Sequence, residues 1–162
     1  MSSPIDVSGL GNLFENGVAN IKKVIDDNQG SLHCGRLKAI YTEDEILPLT
    51  PSVAILFQGF DNDLRSASDM VRRNYTFNLS YDIWYYHSEL DKNVRRSEIT
   101  SVLWQLVNMF MTNVTVNCFA PKLGCVVSGG TYRPRLRGGG VIMASAVFTL
   151  TIRVLWSIQN AQ

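Results

Sequence analysis

Arg133, Arg135 and Arg137 occupy alternate positions around Pro134 and Leu136, just after Tyr132 and just before Gly138-Gly139-Gly140. An extended backbone points all three guanidinium groups to one side. Guanidinium groups grip phosphates through paired hydrogen bonds and an aromatic ring stacks on bases, so the cluster suits a phosphate-contacting arm. The same groups serve equally well for ion pairs with the acidic surface of a neighbouring protein. The adjacent glycines make residues 129–141 an expected mobile hairpin.

Catalytic chemistry finds little support. The glycine triplet lacks the frame and the following helix of a phosphate-binding loop, and Ser128-Gly129-Gly130 does not match a nucleophile elbow. Asp61, Asp63, Asp69 and Asp82 complete no HxxE, ExxH or DxD-plus-histidine constellation, although Asp61 and Asp63 as a DxD pair could touch a divalent ion. Asp61 and Asp63 read as solvated turn acids after Gly59. The chain has only two histidines, His33 and His87, and three cysteines, Cys34, Cys118 and Cys125, the last two too far apart for a redox pair. His33 beside Cys34 could open a metal site, but no tight ligand pair completes it; a partly buried thiol at a loop-to-strand transition explains it better. The expectation is therefore a protein that is not an enzyme, with no metal and no cofactor.

The 162 residues, 46% hydrophobic and 18% charged, suffice for one packed domain spanning 1–162. A net charge of +1 gives no overall drive toward nucleic acid, but the charges are unevenly spread. Residues 1–63 carry four Lys or Arg against nine Asp or Glu, whereas no acid follows Glu98 and Lys122, Arg133, Arg135, Arg137 and Arg153 all do. Such polarity favours head-to-tail stacking if sequence halves become spatial ones. Met1 to Asp6 has neither the basic run nor the apolar core of a targeting segment, and odd cysteine usage suits a reducing cytosolic compartment.

Six elements must position these groups. Leu10, Leu13, Phe14, Val18, Ile21 and Ile25 recur at helical spacing, predicting a helix over about 10–28. A short strand is expected near Arg36 to Tyr41, followed by the acidic loop Glu43-Asp44-Glu45, and a central strand over Ser52 to Phe60. Residues 71–87 alternate: Tyr75, Phe77, Leu79, Tyr81, Ile83 and Tyr85 share one face, expected in the core, and the other face is polar until Trp84 and Tyr86. Those two rings suit a protein contact; the competing reading is that a helix of the same subunit covers them. A second helix carries Ile99, Val102, Leu103, Leu106, Val107, Phe110 and Met111 as one broad stripe. The run Val141 to Ile158 alternates with Phe148, Leu150 and Ile152 on its apolar side, and far exceeds the usual strand of about five or six residues. It must either bend at a bulge or run past its own domain. The fold class that follows is α+β: one mixed or mainly antiparallel sheet packed by two helices, with a long C-terminal strand.

The runs Leu37-Lys38-Ala39-Ile40-Tyr41 and Pro51-Ser52-Val53-Ala54-Ile55, the tyrosine-rich strand Asn74 to Tyr86, the helix Arg96 to Met111 and the long terminal strand together resemble the tail terminator proteins of tailed bacteriophages, also called tail completion or tail-to-head joining proteins. The resemblance covers nearly the whole chain and rests on element order and texture. It implies a small α+β subunit of a hexameric ring that caps the tail tube, stops its polymerisation and joins the tail to the neck or head, within the virion after synthesis in the host cytoplasm. The implied partners are further copies of the chain, the tube protein, a neck or head-completion protein and, in contractile tails, the sheath; DNA passes through the ring without specific binding. Ring contacts would fall on sheet edges and loops, placing Trp84, Tyr86, Tyr132, Arg133, Arg135, Arg137 and Arg153 at interfaces. Glu43, Asp44 and Glu45 are one candidate acidic counter-surface. Two alternatives stand beside this: another neck or tail-tube ring component, and a small DNA-binding module using the Arg133–Arg137 arm.

Overall fold

Alternation in the tyrosine-rich segment becomes a fifteen-residue strand, Asn74–Ser88, at the middle of a five-stranded sheet. A computed structural model describes residues 8–43, 49–62, 74–89, 91–112, 122–136 and 142–157. In chain order the elements are α1 (Ser8–Asn28), a 3-10 turn (Gln29–Ser31), β1 (Ala39–Tyr41), β2 (Ser52–Asn62), β3 (Asn74–Ser88), α2 (Lys92–Thr112), β4 (Lys122–Leu136) and β5 (Ile142–Ser157). The sheet order is β1-β2-β3-β5-β4; β1 and β2 are parallel and every other pair is antiparallel. This is an α+β domain with a mixed, mostly antiparallel sheet packed by two helices.

Period-two alternation puts Leu79, Tyr81, Ile83 and Tyr85 of β3 and Ala144, Ala146, Phe148, Leu150 and Ile152 of β5 on the same face. Against it pack Ile21, Val24 and Ile25 of α1 and Ile99, Val102, Leu106, Met109 and Phe110 of α2, and all of these side chains are buried in one cluster. Phe110 and Phe148 meet across the layers with ring centroids 6.1 Å apart. Burying each large side chain fully contributes about 1.5–3 kcal/mol, so this layer carries most of the stability. Phe77 lies at its margin, partly buried. Met111, expected on the α2 stripe, is 62% exposed, and Met109 is buried in its place.

Asp91 caps α2: its Oδ1 accepts hydrogen bonds from the backbone N–H groups of Asn93 and Val94 at 2.7 and 3.2 Å. Two glutamines pin the connection between α1 and β1. Gln29 Oε1 accepts from Leu37 N, and Gln105 Oε1 on α2 accepts from His33 N at 2.7 Å. They hold the Leu32–Leu37 stretch, and with it Cys34, against the helical layer.

The long terminal strand does not leave the domain. β5 pairs with β3 from Met143 to Ser157 and with β4 from Ile142 to Val154, so strands of 15, 16 and 15 residues lie side by side. The bulges fall on other strands: β4 shifts register between Lys122 and Gly124 and between Ser128 and Gly130, and β2 shifts between Phe57 and Gly59. Gly59 at φ 146 and Gly129 at φ 63 supply the positive backbone angles at two of these sites.

Candidate functional site

As far as it is described, the arginine segment is one strand of an antiparallel pair with β5, and residues 137–141 of the expected mobile hairpin lie outside the described residues. Through Leu136 it belongs to β4, with Tyr132 registered opposite Ala146, Arg133 opposite Ser145 and Arg135 opposite Met143. Gly129, Gly130 and Pro134 look like punctuation, yet the β5 ladder carries the strand through them. Arg137, Asp44 and Glu45 lie outside the described residues, and Glu43 is exposed.

Trp84 and Tyr86 are stacked, centroids 6.3 Å apart and planes 12° from parallel. Tyr86 is only 2% exposed and forms a second buried cluster with Ala54 and Met143, bordered by Tyr41 and Trp84. Its assignment to a subunit contact is therefore corrected: it belongs to the subunit's interior. Neither α1 nor α2 covers it, because strand alternation places it on the opposite sheet face. Trp84 is half-buried beside it.

The same face carries polar cross-strand pairs toward its other end. Arg153 is exposed and its Nε donates to Asn78 Oδ1 at 3.3 Å, while Thr149 Oγ1 donates to Asp82 Oδ1 at 2.7 Å. Arg153 is thus tied across the ladder to a neighbouring strand. Asp82 is held by a hydroxyl and has no base beside it in these contacts.

Sequence reasoning missed a chain of polar groups beneath the helical layer. Tyr85 Oη lies 3.3 Å from His87 Nδ1, and His87 Nε2 lies 2.5 Å from Glu98 Oε2 on α2, an ion-pair approach without hydrogen-bond alignment. Tyr85 also hydrogen-bonds the Cys34 thiol. The spacing of Tyr85 and His87, two apart on one strand face, was the available signal. Burial pushes the Cys34 thiol above its ordinary pKa, outweighing the Tyr85 hydrogen bond, so the sulfur stays protonated and is a poor nucleophile. Among the described residues no three His, Cys, Asp or Glu side chains come together as a metal site. An open cleft of about 480 Å³ between the C-terminal ends of the helices is lined by Asn28, Ser31, Gln105, Asn108, Met109 and Thr112: amides, hydroxyls and one thioether, without a titratable group.

Burial also pushes the Tyr81 and Tyr85 hydroxyls well above the ordinary tyrosine range. In the unfolded chain both ionise near about pH 10, whereas in the folded chain both stay neutral. Their contribution to stability is therefore complete below about pH 10 and is lost as pH rises further, at up to about 1.4 kcal/mol per pH unit for each tyrosine. Urea midpoints should fall steeply above about pH 10, and Tyr81→Phe should flatten the fall. Parallel pH profiles for the variant and the parent would contradict this assignment.

No protein-family model matches the chain, and no curated protein sequence matches it.

Proposed function

We propose that this chain is a structural subunit of a phage tail, a tail terminator that closes into a ring, caps the tail tube and presents the surface that joins tail to neck. The observation that carries the reading is the platform of β3, β5 and β4, of 15, 16 and 15 residues, with both helices packed on one face and polar cross-strand pairs on the other. Its chemistry is backbone pairing, hydrogen bonding and packing, the means by which a protein assembles. Arrest of tube growth needs no reaction. One ring face matches the last tube ring and the other lacks the tube's polymerising surface, so growth ends where complementarity ends. Closed symmetry lets modest contacts, repeated in every copy, hold the ring together.

Arg133, Arg135 and Arg137 take part in docking through ion pairs. Each such pair contributes only about 0.2–1 kcal/mol, but the contact recurs around the ring. The triple substitution Arg133→Ala, Arg135→Ala, Arg137→Ala should leave the thermal midpoint of the subunit almost unchanged while reducing capping of tail tubes, as seen by electron microscopy. The parent's docking should weaken as salt rises. A triple variant that docks normally but has lost affinity for duplex DNA would replace this reading with that of a DNA-binding module.

A further inference from the structure

The cleft between the C-terminal ends of α1 and α2 presents mainly hydrogen-bond acceptors, because the donors of its lining residues are already committed. Asn28 Nδ2 donates to Val24 O at 2.7 Å, which fixes the orientation of the amide and leaves Oδ1 without a donor among the described residues. The Ser31 hydroxyl donates to Asn28 O at 2.8 Å, and the Thr112 hydroxyl to Asn108 O and Met109 O at 2.8 and 3.1 Å. A hydroxyl has a single proton, so toward anything that enters the cleft these two oxygens only accept. Gln105 is engaged at both ends, donating to Ser31 O at 3.3 Å and accepting from His33 N at 2.7 Å. The side-chain amide of Asn108 is exposed, makes no hydrogen bond among the described residues, and is free to present Oδ1 to the cleft.

The electrostatics of this end of the helices favour a positive guest. The last carbonyls of a helix lack intrahelical donors and carry partial negative charge, which a basic residue in the last turn offsets. Neither helix has one. α1 closes instead on Asp26 and Asp27, acids placed against its own dipole. Asp27 is paired with Lys23 at 2.8 Å, whereas Asp26 Oδ1 accepts from the neutral amide of Gln29 at 2.6 Å. No charged side chain lines the cleft itself, so a cation entering it exchanges its water for neutral oxygens alone. A guanidinium is more weakly hydrated than an ammonium and spreads its donors in a planar fork, so it makes that exchange more easily. The volume of about 480 Å³ is far too large for a bare metal ion and falls within the usual range for organic ligands, roughly 300–1,000 Å³. Met109, buried at the cleft wall, offers an apolar thioether for the carbon stem of an arginine.

We propose that this cleft is a binding site for a guanidinium group, the side chain of an arginine on a bound protein, held by Asn28 Oδ1, Ser31 Oγ, Asn108 Oδ1 and Thr112 Oγ1. All four oxygens belong to one copy of the chain, so the site is complete in the monomer and does not depend on the ring reading. The arginine comes from a second copy of this chain or from another protein, and the test separates the two.

Titration of the full chain, at low protein concentration, with N-acetyl-arginine amide should give saturable NMR shifts centred on Asn28, Ser31, Asn108 and Thr112. N-acetyl-lysine amide should bind severalfold more weakly, and N-acetyl-citrulline amide, which keeps the shape but carries no charge, should give no saturable shift. Asn108 is exposed, so its substitution leaves the fold intact. N108D should tighten binding of the arginine amide by about two- to fivefold, the range of an exposed ion pair, and N108K should abolish it by placing an ammonium in the cleft. N16D makes the same charge change at an exposed position of α1 that does not line the cleft, and should leave the affinity unchanged. If the arginine belongs to a second copy, N108K also lowers the oligomeric fraction at a fixed protein concentration and the arginine amide competes with assembly; if it belongs to another protein, neither changes the oligomer. Equal binding of the lysine or citrulline amide, shifts that map outside the cleft, or N16D acting like N108D would overturn the guanidinium site and leave the ring reading untouched.

Discussion

Phe148→Ala is expected to lower the unfolding free energy by about 3–5 kcal/mol, and Leu106→Ala by about 2–5 kcal/mol, because each deletion removes transfer energy and leaves a cavity. Phe148 is 1% exposed on the strand between β3 and β4, with Phe110 of α2 packed on it at 6.1 Å; Leu106 is fully buried one turn earlier on the same helix. Neither site can collapse easily, because the sheet fixes one wall and the helix the other. Denaturant midpoints report the effect, and assembly fails only as a consequence of unfolding. Midpoints close to the parent's in both variants would show that the layer between helix and sheet does not carry the stability assigned to it.

Tyr86→Ala should cost a comparable amount, about 3–5 kcal/mol on the scale of large aromatic deletions, although Tyr86 lies on the opposite face of the sheet. The residue is 2% exposed, stacked on Trp84 and packed with Ala54 and Met143. The direction of the effect separates two physical accounts. A ring waiting for a partner would leave the isolated subunit's stability unchanged on truncation and weaken only assembly. A ring already buried destabilises the subunit itself, at any protein concentration. Chemical denaturation at low concentration, where no oligomer forms, distinguishes them, and an unchanged midpoint would return Tyr86 to the interface.

The error over Tyr86 shows what period-two alternation can and cannot reveal. It separates the two faces of β3 correctly, since Leu79, Tyr81, Ile83 and Tyr85 are all fully buried under the helices. It does not say whether the second face is open, and that depends on distant segments. The helices and β5 were legible for the same reason, their apolar period being long and unbroken. β4 was not, because Gly124, Gly129, Gly130 and Pro134 interrupt its pattern while its strand state comes from the β5 ladder. The Tyr85–His87–Glu98 chain joins a strand to a helix across a loop, a proximity that a linear pattern cannot express.

The central claim is that the chain works by closing into a ring. Its most direct test is the mass of the purified protein in solution, followed by light scattering or mass photometry across a wide concentration range and again after mixing with isolated tail tubes. The account predicts a discrete closed oligomer, six copies of the 18.1 kDa chain, growing in at the expense of monomer as concentration rises and found as a single ring at the tube end. A folded chain that remained monomeric across that range and on the tubes, or one that grew into open-ended filaments, would contradict it.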